Sequence, residues 1–249
     1  MIFVIGNHKY QRAGFLNSAG ILTGSIYSSY YNLGEYLNLG TLNEKLMEEN
    51  AILRSRGSIT IDTTSTIDIC DDSAQVVYHY IPTKVINFTV HKSNNYITLS
   101  KGSKAGISRD MGVVASNGIA GIVINVSGSF STAMSVLHKD TRISVKLKRF
   151  NYPGTLQWGG GSPQEAEIIG IPMHLPIELG DTVVTSGFSA IFPENIPVGI
   201  ISKLRVLKGS SFYSINVHLS ANLETLQFAY VVNNLFQEEQ QKLEEMNSD

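Results

Sequence analysis

Hydrophobic and polar side chains alternate along several short stretches of the chain. In RISVKLK, Ile143, Val145 and Leu147 alternate with polar residues, and YSINVHL at residues 213–219 follows the same pattern. A period of two predicts strands with one face in a core and the other, including Lys146, in water. Turn signals such as KGSKAG, SNG, YPG and GGGSP separate the apolar runs. Many short strands between frequent turns predict an all-β fold built from small barrels or sandwiches.

A helical pattern precedes the strands. Leucines recur every seven residues around GEYLNLGTLNEKLMEENAIL, and a second set of positions holds one tyrosine and two asparagines. With leucine at d and asparagine at a, the pattern is typical of a parallel two-stranded coiled coil, because paired Asn side chains bond only in register. The predicted dimerisation residues are Tyr36, Leu39, Asn43, Leu46, Asn50 and Leu53. The alternative is one amphipathic helix packed on its own domain.

Changes in composition divide the chain into segments. The start, MIFVI, is an apolar run of five residues, whereas a membrane-spanning helix needs about 20. We expect this run to be the end of a truncated span, so that membrane attachment requires a preceding apolar stretch. The predicted segments are a membrane-proximal segment at 1–35, a coiled-coil helix at 36–57, a linker at 58–78, β-barrels at 79–160 and 161–236, and a disordered acidic tail at 237–249.

One part of the strand region is similar to another part. Residues 110–123 have the sequence DMGVVASNGIAGIV, and residues 181–201 have the sequence DTVVTSGFSAIFPENIPVGII. Both contain Asp, a Val-Val pair, Ser and Gly, and the second has a longer insertion before its final Gly. Two related β-units in tandem would produce this repeat.

Composition argues against several classes of function. The net charge is −2, from 19 basic and 21 acidic residues, and there is no Lys/Arg-rich run, so we predict no nucleic-acid partner. Cys70 is the only cysteine and cannot form an internal disulfide. The six histidines lack the spacing of metal ligands and are predicted to be surface or strand residues. We therefore predict neither a bound metal nor a cofactor.

The stretch GDTVVTSGFSAIFPENIPVG raises the question of catalysis. His91, Asp140 and Ser186 follow the chain order of one class of serine protease, so a β-barrel hydrolase using Ser186 is one alternative. There is no nucleophile elbow, however, and the Gly and Pro spacing describes a strand–loop–strand unit. A small-ligand-binding barrel is a further alternative, and it would contain a roomy polar cavity.

The loop of this stretch contains three large apolar residues, Phe188, Ile191 and Phe192. One interpretation is that they plug the end of a β-barrel. The other is that some of them form a partner-binding patch. We predict that all three contribute to a barrel-end or partner surface.

The same stretch resembles the MreC family of rod shape-determining proteins. The residues that carry the resemblance are Gly180, Asp181, Thr185, Ser186, Gly187, Phe192, Pro193, Pro197 and Gly199. Three further segments resemble the family and occur in the expected order, namely LSKGSKAGISRDMGVVASNGIAGIVINV, HKDTRISVKLKRFNYPGTLQW and VHLSANLETLQFAYVV. The resemblance covers about residues 36–235.

The resemblance implies two small six-stranded β-barrels in tandem after a coiled-coil helix. It implies a non-catalytic dimer, or filament, at the periplasmic face of the bacterial inner membrane, where it would organise peptidoglycan synthesis and maintain rod shape. The implied partners are MreD, the actin-like MreB system and the elongation-specific penicillin-binding transpeptidase. We expect the barrels to present β-edges and loops to these partners and to each other.

Overall fold

The computed structural model describes residues 40–57, 77–206 and 211–246. In these ranges the chain forms two α-helices and twelve β-strands. The elements are α1 at 40–57, β1 at Tyr78–Phe88, β2 at Tyr96–Leu99, β3 at Gly112–Val114, β4 at Ile119–Val126, β5 at Ser131–Ser135, β6 at Ile143–Leu147, β7 at Tyr152–Gln157, β8 at Glu165–Ile169, β9 at Thr182–Thr185, β10 at Pro197–Val206, β11 at Tyr213–Leu219, β12 at Phe228–Asn234 and α2 at Gln237–Met246.

The strands of the described residues close into two six-stranded barrels. The first barrel has the strand order β1-β12-β3-β4-β5-β2, and the second has the order β10-β11-β8-β7-β6-β9. The predicted fold, a pair of small six-stranded barrels after an N-terminal helix, is confirmed. A closed barrel has no unpaired edge strand. The prediction that these barrels present β-edges to partners is therefore wrong, and loops and outer faces are the available surfaces.

The predicted boundary between the barrels at residue 160 does not match the strand assignment. β6 and β7 precede this boundary but belong to the second barrel, where Val145 pairs with Thr185. β12 follows the second barrel in sequence but returns to the first, where Val232 pairs with Tyr80. The partners of a strand can lie far away along the chain, so local patterning identified the strands without assigning them to a barrel.

Apolar side chains fill the interior of both barrels. The residues with no exposed surface include Leu99, Val113 and Val123 in the first barrel and Val145, Ile168 and Ile215 in the second. This packing is typical of small barrels, whose interiors are just wide enough for side chains. It contradicts the alternative in which a barrel interior among the described strands holds a small ligand.

The sequence repeat corresponds to two hairpins with the same irregularity. Val113 pairs with Gly121 beside a bulge between β3 and β4, and Val183 pairs with Gly199 beside the equivalent bulge between β9 and β10. A Cβ at either glycine would overlap with a carbonyl oxygen of the adjacent strand, so both positions exclude a side chain. The two hairpins differ mainly in the long loop 186–196 of the second.

The C-terminal segment is helical, so the predicted disordered tail is wrong over α2. Asn234 anchors the start of this helix: its Oδ1 accepts a hydrogen bond from the Phe236 N–H at 3.0 Å, and its Nδ2 donates to Gln240 Oε1 at 3.0 Å. The Gln237 side chain donates to the Asp110 carbonyl at 3.2 Å. Because Gln, Glu and Lys are good helix formers, an anchored first turn is enough to favour a helix here.

A loop of the second barrel is fixed to the first barrel. Phe192 is 1% exposed and lies over Gly112 on β3, where a Cβ would come within 2.6 Å of the phenyl ring. Asn234 at the end of β12 also donates a hydrogen bond to the Ala190 carbonyl at 2.9 Å. The ring of Phe192 therefore occupies space that exists because residue 112 has no side chain.

His138 is buried in the connection that follows β5. Its Nδ1 accepts a hydrogen bond from the Asp140 N–H at 3.1 Å, and its Nε2 lies 3.2 Å from Tyr96 Oη. A neutral imidazole with its proton on Nε2 satisfies both contacts. Burial lowers the pKa of His138, and the Asp140 carboxylate partly opposes this effect. The prediction that all histidines are surface or strand residues is thus wrong for His138.

We expect Gly112→Ala to lower the free energy of unfolding by about 1–3 kcal/mol, because the added methyl overlaps with Phe192. Phe192→Ala should cost about 3–5 kcal/mol. The double variant should cost less than the sum, since removing the ring makes room for the methyl. Urea denaturation measures all three. Gly128→Ala is the matched control, because its Cβ would lie 3.5 Å from Lys104 Cε in ordinary contact. Strict additivity would contradict the proposed contact.

We expect stability to fall as the pH drops below about 6.5, where an unfolded histidine begins to bind a proton. A lowered pKa means that the folded state binds this proton less readily, so stability rises with pH across this window and is lost on acidification. His138→Gln should flatten the dependence measured by urea denaturation between about pH 7 and 5.5. His218→Gln, at an exposed position, should leave the dependence unchanged. Equal slopes in wild type and His138→Gln would refute this assignment.

Candidate interaction surfaces

Thr185 organises the loop of the family-like motif. Its Oγ1 donates to the Pro193 carbonyl at 2.5 Å and accepts from the Ile196 N–H at 2.9 Å. Its main chain bonds the far side of the loop as well, because the Thr185 N–H donates to the Ile196 carbonyl at 2.9 Å. One buried threonine therefore ties both ends of the loop together.

Ser186 has a structural position in the same loop. Its side chain is buried, and its Oγ donates to Ser144 Oγ at 2.7 Å and accepts from the Phe188 N–H at 3.1 Å. A nucleophilic serine instead needs a base within hydrogen-bond reach. Within the described residues, Ser186 bonds to neither His91 nor Asp140. The geometry thus gives Ser186 a turn-closing role and provides no support for the hydrolase alternative.

The remaining motif residues shape the backbone around the loop. Gly180 and Gly187 have φ angles of +94° and +77°, a region that favours glycine. Asp181 Oδ2 accepts a hydrogen bond from the Glu178 N–H at 3.0 Å, which closes the turn before β9. Pro197 is the first residue of β10, where a missing N–H is tolerated in a strand. The motif therefore specifies a strand, a shaped loop and a second strand.

The three apolar residues of the loop have different environments. Phe188 is 69% exposed, Ile191 is half-buried, and Phe192 is buried against the first barrel. Phe192 was predicted to contribute to a barrel-end or partner surface; its ring is buried over Gly112 of β3 and is therefore not open to a partner. Phe188 and Ile191 remain candidates for a partner surface.

Loop 186–196 is also held by a charge pair that the sequence pattern did not reveal. Lys146 lies on the outer face of β6, where alternation predicts contact with water, yet its side chain is buried. It forms an ion pair with the half-exposed Glu194 of the loop. A period of two distinguishes the two faces of a strand but does not show whether a distant loop covers the outer one.

Helix α1 has two faces with different properties. Residues 50–57 belong to the same compact unit as the barrels. Here Ala51 is buried, the Arg54 guanidinium lies 4.8 Å above the Tyr230 ring, and Ser55 Oγ accepts from the Tyr80 N–H at 3.1 Å. The alternative of a helix packed on its own domain thus describes this part of α1.

The predicted coiled-coil positions lie on exposed parts of α1. Leu46 is 46% exposed and Leu53 is 64% exposed, and Asn43 and Asn50 are exposed as well. Tyr36, Leu39 and the predicted membrane-proximal segment lie outside the described residues. Large apolar side chains that remain open on a helix are typical of a face that a partner covers. The coiled coil itself stays a prediction.

Two kinds of site do not occur in the described part of the chain. No helix in residues 40–57 or 211–246 is long and apolar enough to cross a bilayer. No cluster of three His, Cys, Asp or Glu side chains suited to a metal ion occurs among the described residues.

Comparison with known proteins identifies relatives. The chain is 21% identical to the cell shape-determining protein MreC of Escherichia coli over 187 residues, which is 75% of this chain and 51% of the relative. The chain spans about half the length of three curated MreC relatives that it matches.

Solved structures share the fold. The major periplasmic domain of the cell shape-determining filament MreC superposes with a TM-score of 0.55 at 22% identity, over 64% of this chain and 97% of that one. MreC from Helicobacter pylori, solved in complex with a penicillin-binding protein (PBP2), gives a TM-score of 0.51 at 21% identity, over 64% of this chain and 99% of that one.

The strongest assignment comes from a family model. The model for the barrel core of the rod shape-determining protein MreC matches residues 85–233, more than half of the chain and parts of both barrels. This chain therefore belongs to the MreC family.

Proposed function

We propose that this chain is a non-catalytic scaffold of the cell-wall elongation machinery, which maintains rod shape by organising peptidoglycan synthesis proteins. The observation that carries the proposal is the family match from residue 85 to residue 233, which extends across strands of both closed barrels. The packed interiors and the turn-closing bonds of Ser186 support a role in binding rather than in chemistry.

We propose that α1 pairs with α1 of a second copy as a parallel coiled coil. The exposed leucines Leu46 and Leu53 would bury their side chains in the seam, and Asn43 and Asn50 would fix the register. Ala51 is buried on the side of the helix away from the seam, whereas Arg54, which contacts Tyr230 of the first barrel, flanks the seam one turn after Asn50. Dimerisation would therefore have to accommodate Arg54 at the edge of the seam, and filaments would need additional surfaces.

A penicillin-binding transpeptidase is the partner with the best support. The Helicobacter pylori relative was solved in complex with a penicillin-binding protein (PBP2). In this chain, Phe188 is a suitable anchor because its side chain is largely exposed while its N–H is held by Ser186 Oγ. An aromatic side chain has only two χ angles, so one carried by a fixed backbone loses little conformational entropy on binding. Half-buried Ile191 would extend the same surface.

The proposed location and further partners are those of the family. We propose that the barrels lie at the periplasmic face of the bacterial inner membrane, because a related structure is described as a major periplasmic domain. Anchoring by a single span, and association with MreD and the MreB system, complete the proposed scaffold. Through these associations, the scaffold that binds the transpeptidase would also control wall synthesis.

The dimer is tested by replacing Leu46 and Leu53 together with Ser. Burying each leucine contributes about 1.5–3 kcal/mol, so we expect the dimer dissociation constant to rise by more than about 100-fold. Sedimentation equilibrium of the full chain measures this change. Leu179→Ser is the matched control, because Leu179 is a comparably exposed leucine outside the helix. A variant that dimerises as tightly as wild type would exclude the seam.

The partner surface is tested by Phe188→Ser. We expect the dissociation constant for the penicillin-binding transpeptidase of the same bacterium to rise about 10-fold or more, as for a central aromatic anchor. Biolayer interferometry measures the constant. Phe130→Ser is the matched control, since Phe130 is an exposed phenylalanine in the first barrel. Unchanged binding by Phe188→Ser, or an equal loss with Phe130→Ser, would show that Phe188 is not the anchor.

A further inference from the structure

A cavity of 340 Å³ lies where three connections meet. These are the β1–β2 loop, the β5–β6 connection and the β7–β8 loop. Its lining combines two cations, an aromatic residue, an amide and two glycines, namely Lys139, Arg142, Trp158, Gln157, Gly159 and Gly160. No acidic residue contributes to this lining. The cavity is distinct from loop 186–196 and from α1.

The two cations of this cavity lack anionic partners. Among the described residues, neither Lys139 nor Arg142 forms an ion pair, although Arg149, Lys146 and Lys203 each do. Arg142 uses one nitrogen, Nη1, to donate to the carbonyls of Lys139 and Thr141, each at 2.9 Å. These bonds orient the guanidinium and leave its Nε and Nη2 groups available to a ligand.

The walls of the cavity are held in place by hydrogen bonds, of which the one from Asn95 to the Leu137 carbonyl is fully buried. The Lys139 N–H donates to the Ser93 carbonyl at 3.1 Å. Asn95, which has no exposed surface, donates to the carbonyls of Lys92 and Leu137 at 2.6 and 2.7 Å. Trp158 is 5% exposed, and its indole N–H donates to the Ser162 carbonyl at 3.2 Å. A cavity with fixed walls loses little free energy to ordering when a ligand binds.

We propose that this cavity binds a carboxylate of an acidic peptide segment. The free edge of Arg142 matches a planar carboxylate, which an arginine can bind through two parallel hydrogen bonds. The Lys139 ammonium adds a second positive charge. The N–H groups of Gly159 and Gly160 donate to no described residue and provide further donors. The volume suits one side chain with its flanking backbone rather than a folded domain.

Charge near the cavity favours a single carboxylate over a phosphate surface. Asp140 is exposed directly beside Lys139, and Glu167 accepts a hydrogen bond from Gln157 at 3.3 Å. The whole chain has a net charge of −2. These carboxylates would repel an anionic lipid surface. A single carboxylate on a flexible peptide can instead approach the two cations without approaching Asp140 or Glu167.

Trp158 is the only tryptophan of the chain, so its fluorescence reports on this cavity alone. We expect an acetylated, amidated tetraglutamate peptide to change the fluorescence of the full chain with saturation, and more weakly at high salt because the charges are partly exposed. Arg142→Gln should weaken binding about 10-fold or more. Arg142→Lys should weaken it less, since it keeps the charge and loses the fork. Lys203→Gln, which removes a cation paired with Glu165, should bind like wild type.

Several outcomes would overturn the proposal. They are the absence of a saturable response to tetraglutamate, an equal response to tetraglutamine, and unchanged binding by Arg142→Gln. Tighter binding of inorganic phosphate, or of phosphatidylglycerol vesicles, would assign the site to phosphate instead. If Arg142→Gln unfolds in urea more readily than wild type, its weaker binding can reflect lost structure, and Lys139→Gln is then the deciding variant. Lys139→Gln retains the backbone hydrogen bond from residue 139 to Ser93. Unchanged binding by Lys139→Gln would then refute the site.

Discussion

The phenyl ring of Phe192 lies over Gly112, and this contact allows a loop of one barrel to reach the backbone of the other. The neighbouring motif residues hold that loop in position. Thr185 joins the two ends of the loop, Ser186 closes the turn at its start, and the pair of Lys146 with Glu194 attaches it to β6. The residues of the family motif thus hold the loop in the conformation that positions the Phe192 ring. Ser186 contributes hydrogen bonds that stabilise this conformation.

Closure of the barrels limits how this molecule can recognise partners. With all strands of the described residues paired in rings, main-chain recognition by strand addition has no open edge to use. Recognition then depends on side chains at loops, on the outer barrel faces and on the exposed face of α1. These surfaces differ in character, since α1 and Phe188 are apolar, whereas the cavity beside Arg142 is cationic. Partners that bound at different surfaces of this kind would be recognised by different side-chain chemistry.

Local patterns predicted the parts of the fold that depend on near neighbours. The alternation in RISVKLK identified β6, and the repeat around the two Val-Val pairs predicted two related β-units, which are two hairpins with matching bulges. The burial of Lys146 and the packing of Phe192 over Gly112 could not be predicted, because each depends on a loop and a strand that are distant in sequence. The same applies to β12, whose apolar residues indicate a buried strand but not its barrel. His138 was missed because its partner Tyr96 lies 42 residues earlier in the chain.

The return of β12 to the first barrel has a mechanical consequence. Tyr78 at the start of β1 lies opposite Asn234 at the end of β12, so the chain enters and leaves the first barrel at neighbouring points. The second barrel is an insertion whose strands are all synthesised before the first barrel can close. A pulling force between the segment before β1 and α2 would peel β1 from β12 pair by pair. That force would bypass the second barrel, which would stay folded while the first one opened.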